Sequence, residues 1–547
     1  MARRTGRQRA ARLQHRNVKP VEHSPDSTAR SSLKKQALGG LGWSFGSTGA
    51  SFAVQLGHAA IMARLLVPTD FGILALANAF LRFGGFLSQI GVGHALIQAS
   101  TLSSAAIRTA HTMTVIFAAA FTLAFVIAAP LAGYLTASDM VVPVTQVLAI
   151  NLLVTGFGVT SMSLLRRAMR FRALAILDIG SYVTGYVFIG ITLAANGAGV
   201  WSLVAAVLCQ ATLQTAGALL LVRHSLIPQL DRVELQRLYG FGARFSLVQV
   251  ITVIRHTLTN ALVGRLAGID MLGVFDRAKL LVTLPFEKIE ANVTKVLFPV
   301  MSRAQGDKQL LRQTFTLHAA LVAAFAIPAM VGLTLHADVV VLVLLGDQWT
   351  HAATLLPFIT IGAVFGLLSH FARVLADALA LLNSRIRLEM IHLVTLAVAL
   401  TFGARGGIVG MTAAVAFAQA LQFVLYQRLM AMQLGMRVSD YLRSVLPGLL
   451  GSVVVGAVLY VSRLVFSMSS LNPFVTLILQ VGVGLSVLAL VLRTPLFASL
   501  RSRLVELAMP STGAGVSRME AVMGFVVWLS FGDRPRGTTT TSPGSGE

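Results

Sequence analysis

Arg82, Arg255, Arg277, Lys288, Lys295, Arg373 and Asp377 stand inside long apolar stretches of the chain. A charge in a membrane-spanning helix is costly, and by default it marks a substrate or ion pathway. The residue types favour an anion. A guanidinium presents forked donors that match phosphate oxygens, and an ammonium adds a compact positive charge. Arg277, Lys288 and Lys295 are eleven and seven residues apart. At about 100° per residue each step drifts by roughly 20°, so the three share one stripe of a helix. Facing a central cavity, that stripe would suit a pyrophosphate headgroup. Arg277 and Lys295 lie near the ends of their helix, and their other reading is snorkelling to lipid headgroups. Glu287 and Glu290 stand where they can neutralise neighbouring cations.

Arg373 and Asp377 are four residues apart and can pair along one helix face. A structural ion pair is the favoured reading, and proton or cation coupling is the other. His58, His94, His256, His370 and His392 also fall within apolar segments but are scattered, so no metal site is expected. His256, beside Arg255, can line a cavity. The lone cysteine, Cys209, excludes a disulfide framework and a thiolate metal site.

These residues need membrane helices to hold them. The chain has 547 residues, is 55% hydrophobic and only 12% charged, and its mean hydropathy is +0.77. Soluble domains carry about twice that charged fraction. Segments such as MTVIFAAAFTLAFVIAAPLAGYL (113–135) have no polar face to turn to water. The expected fold is therefore an all-α integral membrane protein. Spans of about 20 residues are placed at roughly 40–63, 71–98, 110–134, 141–165, 174–195 and 199–222. A second series follows at roughly 241–264, 272–298, 315–336, 351–382, 387–403 and 407–430, with two more at 446–465 and 473–492. About 14 transmembrane helices result: two six-helix bundles in parallel repeat plus two C-terminal helices.

The expected organisation is a basic tail over 1–39, bundles over 40–222 and 223–432, two additional spans over 433–492, and a tail over 493–547 that is largely disordered. Within that tail MEAVMGFVVWLSF (519–531) is too short to span a membrane. The net charge of +23 raises the question of nucleic acid, but its distribution answers otherwise. Ten of the 44 Lys and Arg lie in the first 35 residues, ahead of any apolar segment. That pattern marks a cytoplasmic tail and anionic lipid headgroups, so no nucleic-acid partner is expected. Basic residues also crowd alternate connections, with Arg166, Arg167, Arg170 and Arg172 the densest group. The opposite connections hold only Arg64, Arg265, Arg405 and Arg463. By the positive-inside rule both termini are cytoplasmic.

The hairpin between the first two spans reads ARLLVPTDFGILA (63–75), where Pro68 and Asp70 break the apolar run. It recurs 201 residues later in GRLAGIDMLGVFDRA (264–278): Arg64-Leu65 aligns with Arg265-Leu266, Phe71-Gly72 with Leu272-Gly273, and Ile73 with Val274. Each copy falls between the first two spans of a six-span set. An internal duplication with the same orientation in both halves follows, an arrangement in which transporters keep the substrate site between the halves.

ARLLVPTDFGILALA (63–77), GVGHALIQASTLS (91–103), LLRRAMRFRALAILDI (164–179) and GAGVWSLV (197–204) resemble the polysaccharide-exporter branch of the MOP flippase superfamily. So do LVGRLAGIDMLGVFDRA (262–278), LFPVMSRAQGD (297–307) and LLGDQWTHAATLLP (344–357). The likeness spans roughly 40–430 and is to the Wzx-like, colanic-acid-exporter-like group. It implies a flippase that moves undecaprenyl-pyrophosphate-linked oligosaccharide across the bacterial inner membrane by alternating access. The glycan would serve exopolysaccharide, O-antigen or capsule. The lipid-linked oligosaccharide and the membrane are then the partners, with polysaccharide polymerase or export machinery beside them. Two departures bear on coupling. Gln89 stands where such proteins often carry an acid before GxG, and RHTLTNALVGR (255–265) lacks the acid that often precedes LLIGR.

The sequence holds no phosphate-loop or HExxH pattern. A transporter rather than an enzyme is expected, without a cofactor, and driven by an ion gradient or the membrane potential. The alternatives on the same scaffold are a multidrug or small-molecule cation antiporter and a flippase of lipid-linked peptidoglycan precursor. An antiporter for cationic drugs wants a cavity carboxylate, which the first two spans lack. A membrane polymerase or glycosyltransferase would need catalytic carboxylates or large outer loops, and the outer connections are short. A non-transporting scaffold of an envelope assembly complex is the remaining reading.

Overall fold

Among the described residues each expected span is largely helical in the computed structural model, which describes residues 49–508 except 50, 90–91, 99–101, 137, 240–242 and 469–470. No strand occurs among the described residues. The first series comprises α1 (51–65), α2 (Pro68–Gln89), α3 (Ser104–Thr136), α4 (Val141–Arg167), α5 (Phe171–Ala195) and α6 (Val200–Val222). The second comprises α7 (Ala243–Ala267), α8 (Ile269–Arg303), α9 (Lys308–Leu335), α10 (Thr350–Ala378), α11 (Leu382–Gly403) and α12 (Gly407–Leu434). Two more, α13 (Val438–Ser467) and α14 (Pro473–Arg493), complete the set. Within the expected second span, 71–98, the described helices are α2 and Val92–Gln98. Among the described residues nine stretches are long and apolar enough to cross a membrane, one of them covering both α11 and α12. Length and apolarity therefore do not reach the expected fourteen. The chain of α8 carries Lys279, Glu287, Lys288, Glu290 and Lys295, more charge than a lipid-facing span tolerates. The tails 1–39 and 509–547, with the stretch 519–531, lie outside the described residues.

Local chemistry sets the helix ends. Asp307 caps α9 by accepting a hydrogen bond from the Leu310 N–H at 3.0 Å, and Asn472 caps α14 through the Phe474 N–H at 2.9 Å. Pro68 and Pro473 open their helices, where a missing N–H costs nothing. Helix α5 widens to π geometry over Val183–Gly190, beside a close approach to α6. A Cβ on Gly185 would lie 2.8 Å from the Ala206 carbonyl oxygen.

Within the first series α3 packs on α4, α4 on α6, and α2 on both α3 and α4. Within the second, α10 and α11 pack on α12, α8 on α10, and α7 on α11. Helix α13 lies against α9, and α14 against α13. The two series meet where α2 runs beside α7 and α8.

That junction repeats the sequence duplication in space. A Cβ on Gly72 would lie 2.9 Å from the carbonyl carbon of Ile269 and nearer still to its oxygen. A Cβ on Gly273 would lie 2.8 Å from the carbonyl carbon of Pro68, again with the oxygen nearer. Gly72 and Gly273 are 201 residues apart, and so are Pro68 and Ile269. The contact is reciprocal, as a pseudo-two-fold axis requires. On that axis Thr69 Oγ1 donates to Asp270 Oδ1 at 2.5 Å, and these residues are also 201 apart. Only glycine lets the two helix starts approach this closely.

The same end is stitched further by the GDQW segment. Trp349 Nε1 and Gln348 Nε2 both donate to the Ala63 carbonyl, at 2.7 and 2.6 Å, and the Trp349 ring meets Phe71 edge-on at 5.5 Å. Arg64 Nη2 reaches the Val343 carbonyl at 2.6 Å. Arg64 and Pro68, which interrupt the apolar run, thus belong to a closure between the two series, while Asp70 accepts from the Val67 N–H at 3.3 Å within the turn.

Candidate functional site: a cationic cavity in the second helix series

A cavity of about 250 Å³ opens among α7, α8, α10, α11 and α12. Helical register explains its walls. On α8, Phe275, Lys279, Val282 and Phe286 recur at intervals of four, three and four, one face of a 3.6-residue helix. Arg277 lies two residues from both Phe275 and Lys279, about 200° round the helix, and so belongs to the opposite face. On α12, Thr412, Ala416 and Gln419 follow the same spacing. A Cβ on Gly362 would touch the Ala416 Cα at 3.4 Å, so glycine keeps α10 and α12 close at the cavity wall.

Three cations line this space: Arg255 from α7, Lys279 from α8 and Arg373 from α10, with His256 and His392 between them. Helix α7 is held in register against α2, where Thr257 Oγ1 donates to the Ala79 carbonyl at 2.7 Å and Asn260 Nδ2 to the Ala75 carbonyl at 3.3 Å. Behind the cations sits Glu389, only 2% exposed. Its carboxylate accepts from Tyr426 Oη at 3.0 Å and from Gln422 Nε2 at 3.3 Å. The Arg255 guanidinium stands 4.0 Å from it, the outer limit of an ion pair. Arg255 thus has a counter-charge that stabilises it in the membrane without occupying its whole donor fork. His392 Nδ1 bonds the Ala418 carbonyl at 3.1 Å, which leaves the second ring nitrogen without a partner.

The expected site residues divide. Arg255 and Arg373 line the cavity, and His256 does too. Arg277 does not: its guanidinium pairs with Asp276 at 2.7 Å and lies 4.4 Å over the Phe71 ring, facing the first series. Arg82 is exposed on α2, close enough to act electrostatically on His256 but not among the cavity walls. Lys288 and Lys295 lie on continuous helix, and their side chains are outside the described residues. The pairing of Arg373 with Asp377 is corrected: Asp377 forms its ion pair with Arg385 at the start of α11, and Arg373 turns to the cavity. The turn Leu379–Leu381, with Ala380 at φ +55°, brings Arg385 back over the end of α10. That separation in sequence hid the pair, because Arg385 lies eight residues and a turn beyond Asp377.

Lys279 and Glu389 were not singled out from sequence. The four-three-four aromatic spacing around Lys279 was the available signal. For Glu389 it was an acid near the start of an otherwise apolar span, with hydrogen-bonding Gln422 and Tyr426 four residues apart on the next. This cavity lies within the second series and borders the first through α7 and α8.

The sequence profile described as "Polysaccharide biosynthesis protein" matches residues 61–354, more than half of the chain. The chain belongs to that family. Among curated members and relatives, it is similar to the teichuronic acid biosynthesis protein TuaB of Bacillus subtilis (strain 168). The two are 24% identical over 343 residues, 62% of this chain and 69% of that protein. The succinoglycan biosynthesis transport protein ExoT of Rhizobium meliloti (strain 1021) is 27% identical over 315 residues, 57% of this chain and 63% of that protein. The lipopolysaccharide biosynthesis protein WzxC of Escherichia coli (strain K12) is 22% identical over 352 residues, 62% and 68% respectively. Two solved structures share the fold. The lipid II flippase MurJ in an inward closed conformation superposes with a TM-score of 0.62 at 15% identity, covering 84% of this chain and 98% of that one. An inward-facing multidrug resistance MATE family transporter of the MOP superfamily gives 0.54 at 17% identity, covering 70% and 94%. This polysaccharide biosynthesis family member is thus a multi-pass membrane protein with the MOP-type transporter fold.

Proposed function

We propose that the protein is an alternating-access flippase for undecaprenyl-pyrophosphate-linked oligosaccharide, acting in the bacterial inner membrane with both termini cytoplasmic. The observation that carries this reading is the convergence of Arg255, Lys279 and Arg373 on one intramembrane cavity in a transporter-fold member of a polysaccharide biosynthesis family. Three cations in a low-dielectric space attract a multiply charged anion strongly and disfavour a cation. A pyrophosphate linkage is the anionic part of a lipid-linked sugar. The cavity is too small to enclose an oligosaccharide, so it serves as the seat for the phosphoryl groups. The glycan occupies the space between the series, and the polyprenyl tail stays in lipid.

Movement follows from the geometry. The Pro68–Gly273 and Ile269–Gly72 crossings close one end of the junction, and alternation requires them to part. The anion would draw Arg255 forward from Glu389, at 4.0 Å already a loose pair. Arg277, Lys288 and Lys295 share the face of α8 turned away from this seat, and with Arg82 on α2 they would meet the anion only outside it. Asp377 with Arg385 is a structural pair in this reading rather than the coupling site.

The cationic lining speaks against a multidrug cation antiporter. The fold shared with a lipid II flippase keeps the peptidoglycan precursor as the second reading, since it offers the same pyrophosphate chemistry. The test is a deletion strain complemented with Arg255→Ala, Lys279→Ala and Arg373→Ala at native protein level. Loss of surface polysaccharide with all three supports the phosphate seat. Full polymer from all three overturns it, and loss of peptidoglycan synthesis instead of surface polymer selects the second reading.

A further inference from the structure

A second cavity, of about 680 Å³, lies at the end of the molecule away from the glycine crossing. It forms where the start of α9, the start of α13 and the short helix Ala498–Ala508 converge. Nothing in the transport reading uses it.

Its chemistry is strongly one-signed. Lys308 and Arg312 come from α9, Arg443 from α13 and Arg503 from the terminal helix. The one carboxylate in the wall, Asp440, is already committed. It accepts from Arg312 Nη2 at 2.6 Å and from the Arg437 backbone N–H at 3.2 Å. Lys308, Arg443 and Arg503 therefore remain as excess positive charge around a space lined with further polar side chains, Ser444 and Ser499 among them. Arg503 ties the terminal helix to α9, its Nη1 donating to Thr316 Oγ1 at 3.3 Å.

The walls are fixed by packing. Phe497, 2% exposed, plugs the terminal segment against α13, where a Cβ on Gly451 would meet its ring at 3.2 Å. The mouth continues onto an apolar stripe. Pro447 and Leu450 follow Arg443 by four and seven residues, within about 40° on the helix, and Leu446 stands beside them. Leu446 and Leu450 are 50% and 46% exposed, with Leu449 and Val453 bare next to them at 42% and 69%. A cationic cup opening onto a bare leucine stripe fits an amphiphile with a negatively charged phosphoryl head and hydrocarbon tails. Basic pockets between membrane helices recognise anionic lipids on these terms.

We propose that this cavity is a binding site for the phosphoryl headgroup of an anionic phospholipid, whose acyl chains lie along Leu446 and Leu450 of α13. The bound lipid bridges α9, α13 and the terminal helix and neutralises the charge that would otherwise drive them apart. It is a site separate from the intramembrane cavity and does not depend on which glycan is carried.

The experiment uses the full chain purified in detergent, followed by thermal unfolding and native mass spectrometry. Phosphatidylglycerol, phosphatidylcholine with the same acyl chains, and inorganic phosphate are titrated separately. The comparison proteins are the double variant Arg443→Gln/Arg503→Gln and its conservative partner Arg443→Lys/Arg503→Lys; both positions are exposed, so the fold tolerates the change. Phosphatidylglycerol should raise the unfolding temperature and survive as a bound adduct, while phosphatidylcholine should do neither. Removing two surface cations should weaken phosphatidylglycerol roughly 30-fold, and the Lys pair should keep most of the affinity. Equal stabilisation by the two lipids, or equal phosphatidylglycerol binding by the wild type and the Gln pair, overturns the proposal. Protection by inorganic phosphate alone that matches the lipid overturns the lipid assignment and makes the cavity a site for a soluble phosphate.

Discussion

Replacing Gly273 with alanine should loosen the end where the two helix series cross. A Cβ there would lie 2.8 Å from the Pro68 carbonyl carbon, against an ordinary contact of 3.4 Å, with the carbonyl oxygen nearer still. The obstructing atoms are backbone, so no side-chain rotation relieves the clash. Helices α2 and α8 must part by more than half an ångström, which also stretches the Thr69–Asp270 hydrogen bond from 2.5 Å. Overpacking of this kind costs about 1–3 kcal/mol, and it is paid only in the conformation where the helices cross. The population open at this end should therefore rise by roughly 5- to 150-fold. Leu76 is fully buried beside Gly264, so a cysteine there reports the opening. In a Cys209→Ser background, Leu76→Cys should react with a membrane-impermeant thiol reagent at least fivefold faster when Gly273→Ala is added. Gly72→Ala should do the same, because the contact is reciprocal. An unchanged labelling rate in both, with the proteins folded, would refute the idea that this crossing is a closure that opens.

Other expectations follow from the cavity. Single Ala variants of Arg255 and Lys279 should each lower transport roughly ten- to 100-fold, since a hydrogen bond to a charged partner contributes about 1.5–3 kcal/mol; a rate assay on vesicles at matched protein level reads it. Glu389→Ala should lower stability by about 3 kcal/mol, as it leaves Arg255 without a counter-charge and strips Tyr426 and Gln422 of their acceptor; thermal unfolding in detergent measures this, and a change within error would mean the pair is inconsequential. Asp377→Asn should destabilise, and the exchange Asp377→Arg with Arg385→Asp should recover part of the loss. No recovery would contradict a purely structural pairing.

The helices were legible because apolar length dictates a span, and the repeat was legible because an Arg and a Gly recur at the same spacing in two breaks of an apolar run. The closeness of Gly72 to Ile269 was not, because sequence alignment gives equivalence across an axis but not contact across it. The site was half legible. Arg255 and Arg373 stand out as charges in apolar helices, yet the stripe of Arg277, Lys288 and Lys295 drew attention to one face of α8 while the cavity lies on the other. Lys279 went unnoticed because two residues of helical phase separate it from that stripe. Asp377 finds its partner across a turn, and Glu389 draws its protection from the next helix. Local spacing carries neither of these contacts, because both are made by tertiary packing.

The central claim is best tested by where lipid-linked oligosaccharide resides in cells that lack the protein. The undecaprenyl-linked intermediate is extracted, and its side of the membrane is read by access to an impermeant glycan-modifying reagent before and after permeabilisation. The account predicts that the intermediate accumulates on the cytoplasmic face, that surface polymer disappears, and that the wild type but not Arg255→Ala restores both. An intermediate that reaches the outer face normally in the deletion strain would contradict it.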